Sequence, residues 1–235
     1  MQGKQTERVE RMFDSIAADY DRLNHLMSLG IDRSWRRKAL KQIVEPGKVQ
    51  RILDAACGTG DFSIAIARKA ESGSSVAGVD LSEKMLEVMQ DKLCREGLQD
   101  RVRIRQGNCE RLPFESGCFD RVTIAFGIRN VENRETALKE FLRVLKPGGK
   151  LVILELSEPS LPFVRKLYNL YFDHILPLIG GLVSGDRVSY RYLPASVHAF
   201  PSPARWMGTM SACGFKNVSH KAFSAGICRM FTGTK

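Results

Sequence analysis

The chain has 235 residues, 43% of them hydrophobic and 26% charged, the range of a soluble globular protein with one large α/β domain or two small ones. Its most apolar stretch, 175–183, is far shorter than the roughly 20 residues a membrane span needs, and its six cysteines include no C-x-x-C pair, so a transmembrane helix, a zinc site and a thioredoxin-type couple are not expected. The net charge of +10 could attract nucleic acid, anionic lipid headgroups or acidic substrates, and a solvated basic surface explains it equally well.

The opening MQGKQTERVERMF is too charged for a secretory signal, so a reducing cytoplasm with free thiols is expected. Residues 7–27 place Val9, Met12, Phe13, Ile16, Tyr20, Leu23 and Met27 at helical spacings. A second helical stretch carries the basic run WRRK at 35–38 and ends near Pro46-Gly47. Strands are then expected at 51–56, 75–80, 102–107, 119–126 and 149–156, with helices over 61–71, 83–96 and 133–145 between them. Such alternation predicts a parallel sheet covered by helices on both faces. The run Lys146-Pro147-Gly148-Gly149 reads as a helix stop followed by a turn. Beyond 156 come an amphipathic stretch over 161–179, a segment rich in Tyr and Arg, and a short helix at 202–212. Two last strands, 215–223 and 226–233, turn at Ser224-Ala225-Gly226 and imply an antiparallel edge.

The first strand runs into ACGTGDF. Gly58 and Gly60 permit a tight turn and close approach of a ligand to the backbone. A full dinucleotide fingerprint would need a third glycine where Ser63 stands. Asp54, just ahead of the loop, would repel a pyrophosphate and suits a cationic ligand. Asp80 ends the second strand 20 residues after Gly60, the spacing at which a carboxylate reaches a ribose hydroxyl pair. It could instead cap the next helix, a task for which Ser82 is also placed. Asn108 and Cys109 close the third strand, where an adenine contact or a simple turn would fit.

LDAACGTGDF, GVDLSEKML and RVLKPGG resemble successive motifs of class I S-adenosylmethionine-dependent methyltransferases. FDSIAADYDRLNHLMSLGIDRSWRR, TIAFGIRNV, LKPGGKLVILELSEP and YRYLPASVHAFP resemble a narrower group, the C-methyltransferases of demethylmenaquinone and ubiquinone biosynthesis, along nearly the whole chain. The chain departs from that pattern at Pro194-Ala195-Ser196-Val197, where a Glu-Ser-Ile run is usual, and at Asn108-Cys109, where Asp-Ala is usual. The resemblance implies a doubly wound, mostly parallel seven-stranded sheet of Rossmann-like methyltransferase fold. A single domain is expected over 1–235, with a helical N-terminal lid (1–50), a cofactor-binding core (51–156), a substrate-side segment (157–200) and a C-terminal helix and hairpin (201–235).

The resemblance also implies S-adenosyl-L-methionine as cofactor, held by Asp54, Gly58, Thr59, Gly60, Asp80, Asn108, Cys109 and Ala125. It implies a polyprenylated quinol as acceptor, demethylmenaquinol before a benzoquinol. The fourth strand ends in FGIRNV, so Gly127 would release the chain from the strand and turn Arg129 and Asn130 to the acceptor ring. There Arg129 would stabilise the quinol oxygen as it becomes anionic and Asn130 would orient it. A purely structural role pairs Arg129 with Glu132 or Glu155. No metal is required. Arg36, Arg37, Lys38, Arg165 and Lys166 could hold anionic headgroups at a membrane surface, and a homodimer contact is the other use for the amphipathic stretches. Three rival readings remain. A nucleic-acid methyltransferase is the first, but the fourth strand ends in FGIRNV instead of the Asn/Asp-Pro-Pro-Tyr/Phe type and no appended RNA-binding module is left to place, so no nucleic-acid partner is expected. A methyltransferase for another small molecule and a non-enzymatic cofactor binder are the other two.

Overall fold

A computed structural model describes residues 3–28, 30–171 and 187–235; side chains are described throughout except at Leu23, His25 to Met27, Leu167 and Arg187 to Arg191. The helices are α1 (Lys4–Ile16), α2 (Tyr20–Met27), α3 (Ile31–Ile43), α4 (Asp61–Lys69), α5 (Glu83–Glu96), α6 (Arg134–Val144), α7 (Pro162–Leu170), α8 (Arg187–His198) and α9 (Pro203–Ala212). The strands are β1 (Arg51–Ala55), β2 (Ser75–Asp80), β3 (Val102–Gln106), β4 (Phe119–Ala125), β5 (Leu145–Leu156), β6 (Lys216–Phe223) and β7 (Cys228–Thr234). Of the amphipathic stretch foreseen over 161–179, His174, Ile175 and Leu178 lie outside the described residues.

The sheet has the order β3-β2-β1-β4-β5-β7-β6. The pairs from β3 through β5 are parallel, and β7 is antiparallel to both β5 and β6. Side chains alternate across it as the pleat requires. Leu53, Val122, Ile124, Leu151 and Ile153 enter one core with Phe141 of α6 and Trp206 of α9. Ile52, Val76, Val152 and Leu154 enter the other with Trp35 of α3, Ile66 of α4 and Met89 of α5. Covering both faces is what allows the parallel strands to be apolar on both sides. β1 lies between β2 and β4, so the chain winds away from it in both directions and opens a crevice at its carboxyl end.

Three expectations need correction. The helical pattern over 7–27 breaks at Ala17 to Asp19 into α1 and α2, and Phe13 meets Tyr20 edge to face at 6.0 Å across the break. Lys146 to Gly149 is not a turn outside the sheet, because β5 already begins at Leu145, which pairs with Phe119. The glycines form a bulge, and regular pairing resumes at Lys150 with Arg121. Finally, the Tyr- and Arg-rich segment to which the sequence assigned no element forms α8, a helix that contains Pro194.

Candidate active site

The carboxyl ends of β1 to β4 line a cleft. Ala56, Gly58, Asp80, Asn108, Cys109, Ala125 and Asn130 form its walls, and α1 roofs it with Thr6, Val9, Glu10 and Phe13. The roof is tied down at both ends. Thr6 donates from its backbone N (3.2 Å) and Oγ1 (2.6 Å) to Glu132, and Ser82 Oγ donates to Asp14 at 2.5 Å.

Two features of the loop after β1 follow from its glycines. Gly60 has φ +85° and a Cβ there would enter the Met89 side chain. Its neighbour Thr59 is buried and donates to Asp21 of α2 at 2.5 Å, so neither residue forms the wall of the cleft. Asp80 does. Its Oδ2 accepts from Gly58 N at 2.8 Å and its Oδ1 from Ser82 N at 3.0 Å. Burial raises its pKa, while the N–H groups of Ser82 and Gly58 pull it down. The cap of α5 is Ser82, whose Oγ accepts from Met85 N at 3.1 Å, so the alternative use of Asp80 as that cap falls to its neighbour.

Asp54 lies beneath the loop with 1% of its surface exposed, not at the wall. Ser63 Oγ donates to its Oδ2 at 2.6 Å, which explains a serine at the position of the third fingerprint glycine. Its Oδ1 is buried with no hydrogen-bond partner. Burial raises its pKa to about 7, with Ser63 and Arg36 opposing and Asp80 adding to the rise. A buried carboxyl beside a second one is what a cation would satisfy, and S-adenosylmethionine carries positive charge on its sulfonium and amine. Asn108 accepts from Glu110 N at 2.8 Å through its own Oδ1, an internal turn, and burial pushes the Cys109 thiol up to about 12, which removes it as a nucleophile.

The break after β4 is not made by Gly127, which has φ −110°. Phe126 makes it, with φ +62°, an uncommon conformation for an aromatic residue. Gly127 is needed for another reason: a Cβ there would stand 2.7 Å from the Cβ of Ala56. Ile128–Asn130 then form one 3-10 turn. It places Asn130 on the cleft and Arg129 on a second cavity.

The second cavity is walled by Tyr20, Ile31, Trp35, Phe126, Leu156, Tyr168 and Tyr171, with Arg36, Asp32 and Arg129 as its charged groups. Tyr20 and Phe126 also line the cleft, so these two rings stand between the cavities. Burial raises the pKa of the Tyr20 hydroxyl, and Arg129 opposes the rise. Arg129 Nη1 donates to Glu155 Oε1 at 2.7 Å, its backbone N to Oε2 at 3.1 Å, and its Nε to Ser196 Oγ at 3.3 Å. The pairing foreseen as structural therefore exists, with Glu155; Glu132 instead takes Thr6. Arg36 does not face outward. Its guanidinium sits 5.0 Å from the Phe126 ring centre and 3.6 Å from Asp32.

Tyr20, Phe126 and Glu132 belong to the site yet no motif reading marked them as such. Tyr20 carried a signal in YDRLN, while Phe126 read only as the last residue of an apolar strand. Among the described residues no group of three His, Cys, Asp or Glu could hold a metal, and no helix is long and apolar enough to cross a membrane.

The chain is 46% identical over 229 residues to "Ubiquinone/menaquinone biosynthesis C-methyltransferase UbiE" of Geotalea daltonii, covering 97% of each chain. It is 42% identical over 233 residues to "Demethylmenaquinone methyltransferase" of Bacteroides fragilis, covering 99% of this chain and 94% of that one. A SAM-dependent methyltransferase of Thermotoga maritima superposes with a TM-score of 0.67 at 21% identity, covering 96% of this chain and 99% of that one, which shows the fold. Residues 1–235 match the model of the ubiE/COQ5 methyltransferase family, and the chain belongs to that family.

Proposed function

We propose that the protein transfers a methyl group from S-adenosylmethionine to a ring carbon of a polyprenylated quinol, with demethylmenaquinol as the preferred acceptor. The observation that carries this reading is the pair of cavities meeting at Tyr20 and Phe126, one acidic and roofed by α1, the other mostly apolar with Arg129 in its wall. The printed names of the Geotalea and Bacteroides relatives supply the acceptor class.

S-adenosylmethionine, when bound, supplies an electrophilic methyl on a sulfonium. Asp80 holds the ribose hydroxyls, and Asp54 lends negative potential from beneath the loop. The ring carbon beside a quinol oxygen would become nucleophilic once that oxygen loses its proton to water and stands as the anion. Methyl transfer would leave the cofactor as a neutral thioether, after which the ring carbon would give up its proton to water and the oxygen would take one back. Arg129 stabilises the oxygen and cannot serve as the base, because a guanidinium has no free pair in its usual state. Asn130, on the cofactor side of the same turn, orients the oxygen. The purified protein, supplied with methyl-labelled cofactor and either demethylmenaquinol or a benzoquinol, should label the first faster. Label in neither would overturn the reading.

Access for the prenyl tail points to α7. Leu161, Phe163 and Leu170 are 58%, 73% and 54% exposed there, and Arg165 and Lys166 are exposed among them. Tyr168 and Tyr171, from the same region, line the second cavity. This apolar and basic face rests on an anionic membrane surface and delivers the tail to the cavity mouth. The protein should float with anionic vesicles more than with neutral ones. Equal behaviour with both would remove the electrostatic part.

A further inference from the structure

Asn130 is an amide, and an amide can face the cleft with either its oxygen or its NH2 group. The surroundings decide which. Tyr192 of α8 places its hydroxyl 3.1 Å from Asn130 Oδ1. Arg129 and Arg134 lie close enough to this phenol to lower its pKa, and Arg134 Nη2 donates to the backbone oxygen of Arg129 at 2.8 Å. Guanidinium groups carry only donors, so their charge favours a phenol that turns its oxygen toward them and its proton toward Asn130 Oδ1. Burial outweighs the three nearby cations, Arg129, Arg134 and Arg8, and leaves the Tyr192 pKa raised, so the proton is present at neutral pH. The backbone of Asn130 is fixed as well, its N donating to Gly127 O at 3.0 Å.

We infer that Tyr192 is a positioning residue: its hydroxyl holds Asn130 Oδ1 and thereby aims the Asn130 NH2 group into the cleft as a donor to the acceptor oxygen. This rests on the function proposed above and deepens it. It gives the late Tyr- and Arg-rich helix a task in the reaction, although Tyr192 lines neither cavity. A group acting through another leaves a signature that a scaffold residue does not, because its effect vanishes when its partner is gone.

The experiment is a double-mutant cycle with Tyr192→Phe and Asn130→Ala, read as kcat and KM for demethylmenaquinol alongside cofactor affinity by calorimetry. Losing one neutral hydrogen bond of this kind should lower kcat of Tyr192→Phe about tenfold. Cofactor affinity and melting temperature should stay near those of the native protein. In the Asn130→Ala background Tyr192→Phe should cost nothing further. Losses that multiply, a Tyr192→Phe protein with normal kcat, or one whose cofactor affinity falls with its rate, would overturn the inference. Normal turnover by Asn130→Ala alone would instead overturn the role given to Asn130, so the two failures are distinct.

Discussion

Arg129 exposes 8% of its surface, and its partner Glu155 exposes none. Removing the arginine side chain would leave a carboxylate buried without its cation, at a cost of about 3–5 kcal/mol in stability. A slow Arg129→Ala enzyme would therefore be ambiguous, and Arg129→Lys is the cleaner probe. It keeps the charge for Glu155 and loses the planar fork. It should melt well above Arg129→Ala, bind cofactor normally and turn over at least tenfold more slowly, in line with the loss of part of a donor worth on the order of 3 kcal/mol. Full turnover by the lysine variant would mean that charge alone suffices. Asp80 makes a different demand. Its carboxylate already accepts from Gly58 and Ser82, and each oxygen can accept again from a ribose hydroxyl. Asp80→Ala should weaken cofactor binding by roughly 2–3 kcal/mol, tens of fold, in calorimetry. A folded variant with native affinity would refute the assignment.

At the scale of elements, α1 is held across the cleft by few bonds, of which Thr6 Oγ1 to Glu132 is the most removable. Thr6→Val keeps the volume and deletes that bond, at about 1 kcal/mol. Cofactor should then leave several-fold faster in stopped flow, and amide exchange within α1 should rise. Faster exchange with an unchanged release rate would mean that α1 does not gate the cleft. The alternating core was legible in the sequence because β1, β2 and β4 are largely apolar runs that lead into Gly58, Asp80 and Gly127, and α5 begins and ends where its periodicity does. Asp80 was legible from its distance to Gly60. The division between two cavities was not, because it depends on the chain turning at Phe126 through a backbone conformation that its side chain disfavours. Nor was the inward turn of Arg36 legible, since WRRK reads as a basic surface until Phe62 and Phe126 are placed beneath it. The β5 bulge was hidden for the opposite reason: Pro-Gly-Gly is so strong a turn signal that it masks a strand continuing through it.

For the whole molecule, Asp54 ties stability to pH. Its folded pKa of about 7 lies above that of an unfolded aspartate, near 3.9. Between those values the folded protein binds more protons than the unfolded one, so this group makes stability fall as pH rises from about 4 to 7. Asp54→Asn should flatten that slope in urea denaturation. Cofactor binding should oppose the rise, since an added cation favours the carboxylate, and calorimetry near pH 7 should detect protons released to buffer. An unchanged slope in the variant would mean that water reaches the carboxyl.

Tyr20 and Phe126 each belong to both cavities. A ligand on one side that shifts either ring alters the wall met by the ligand on the other. The two affinities are then linked, and linkage is reciprocal. Whatever factor a bound cofactor brings to quinol affinity, the quinol must return to the cofactor. A methyl passed from one cavity to the other would remove the sulfonium charge on one side and add bulk on the other, so turnover would change both terms of such a linkage.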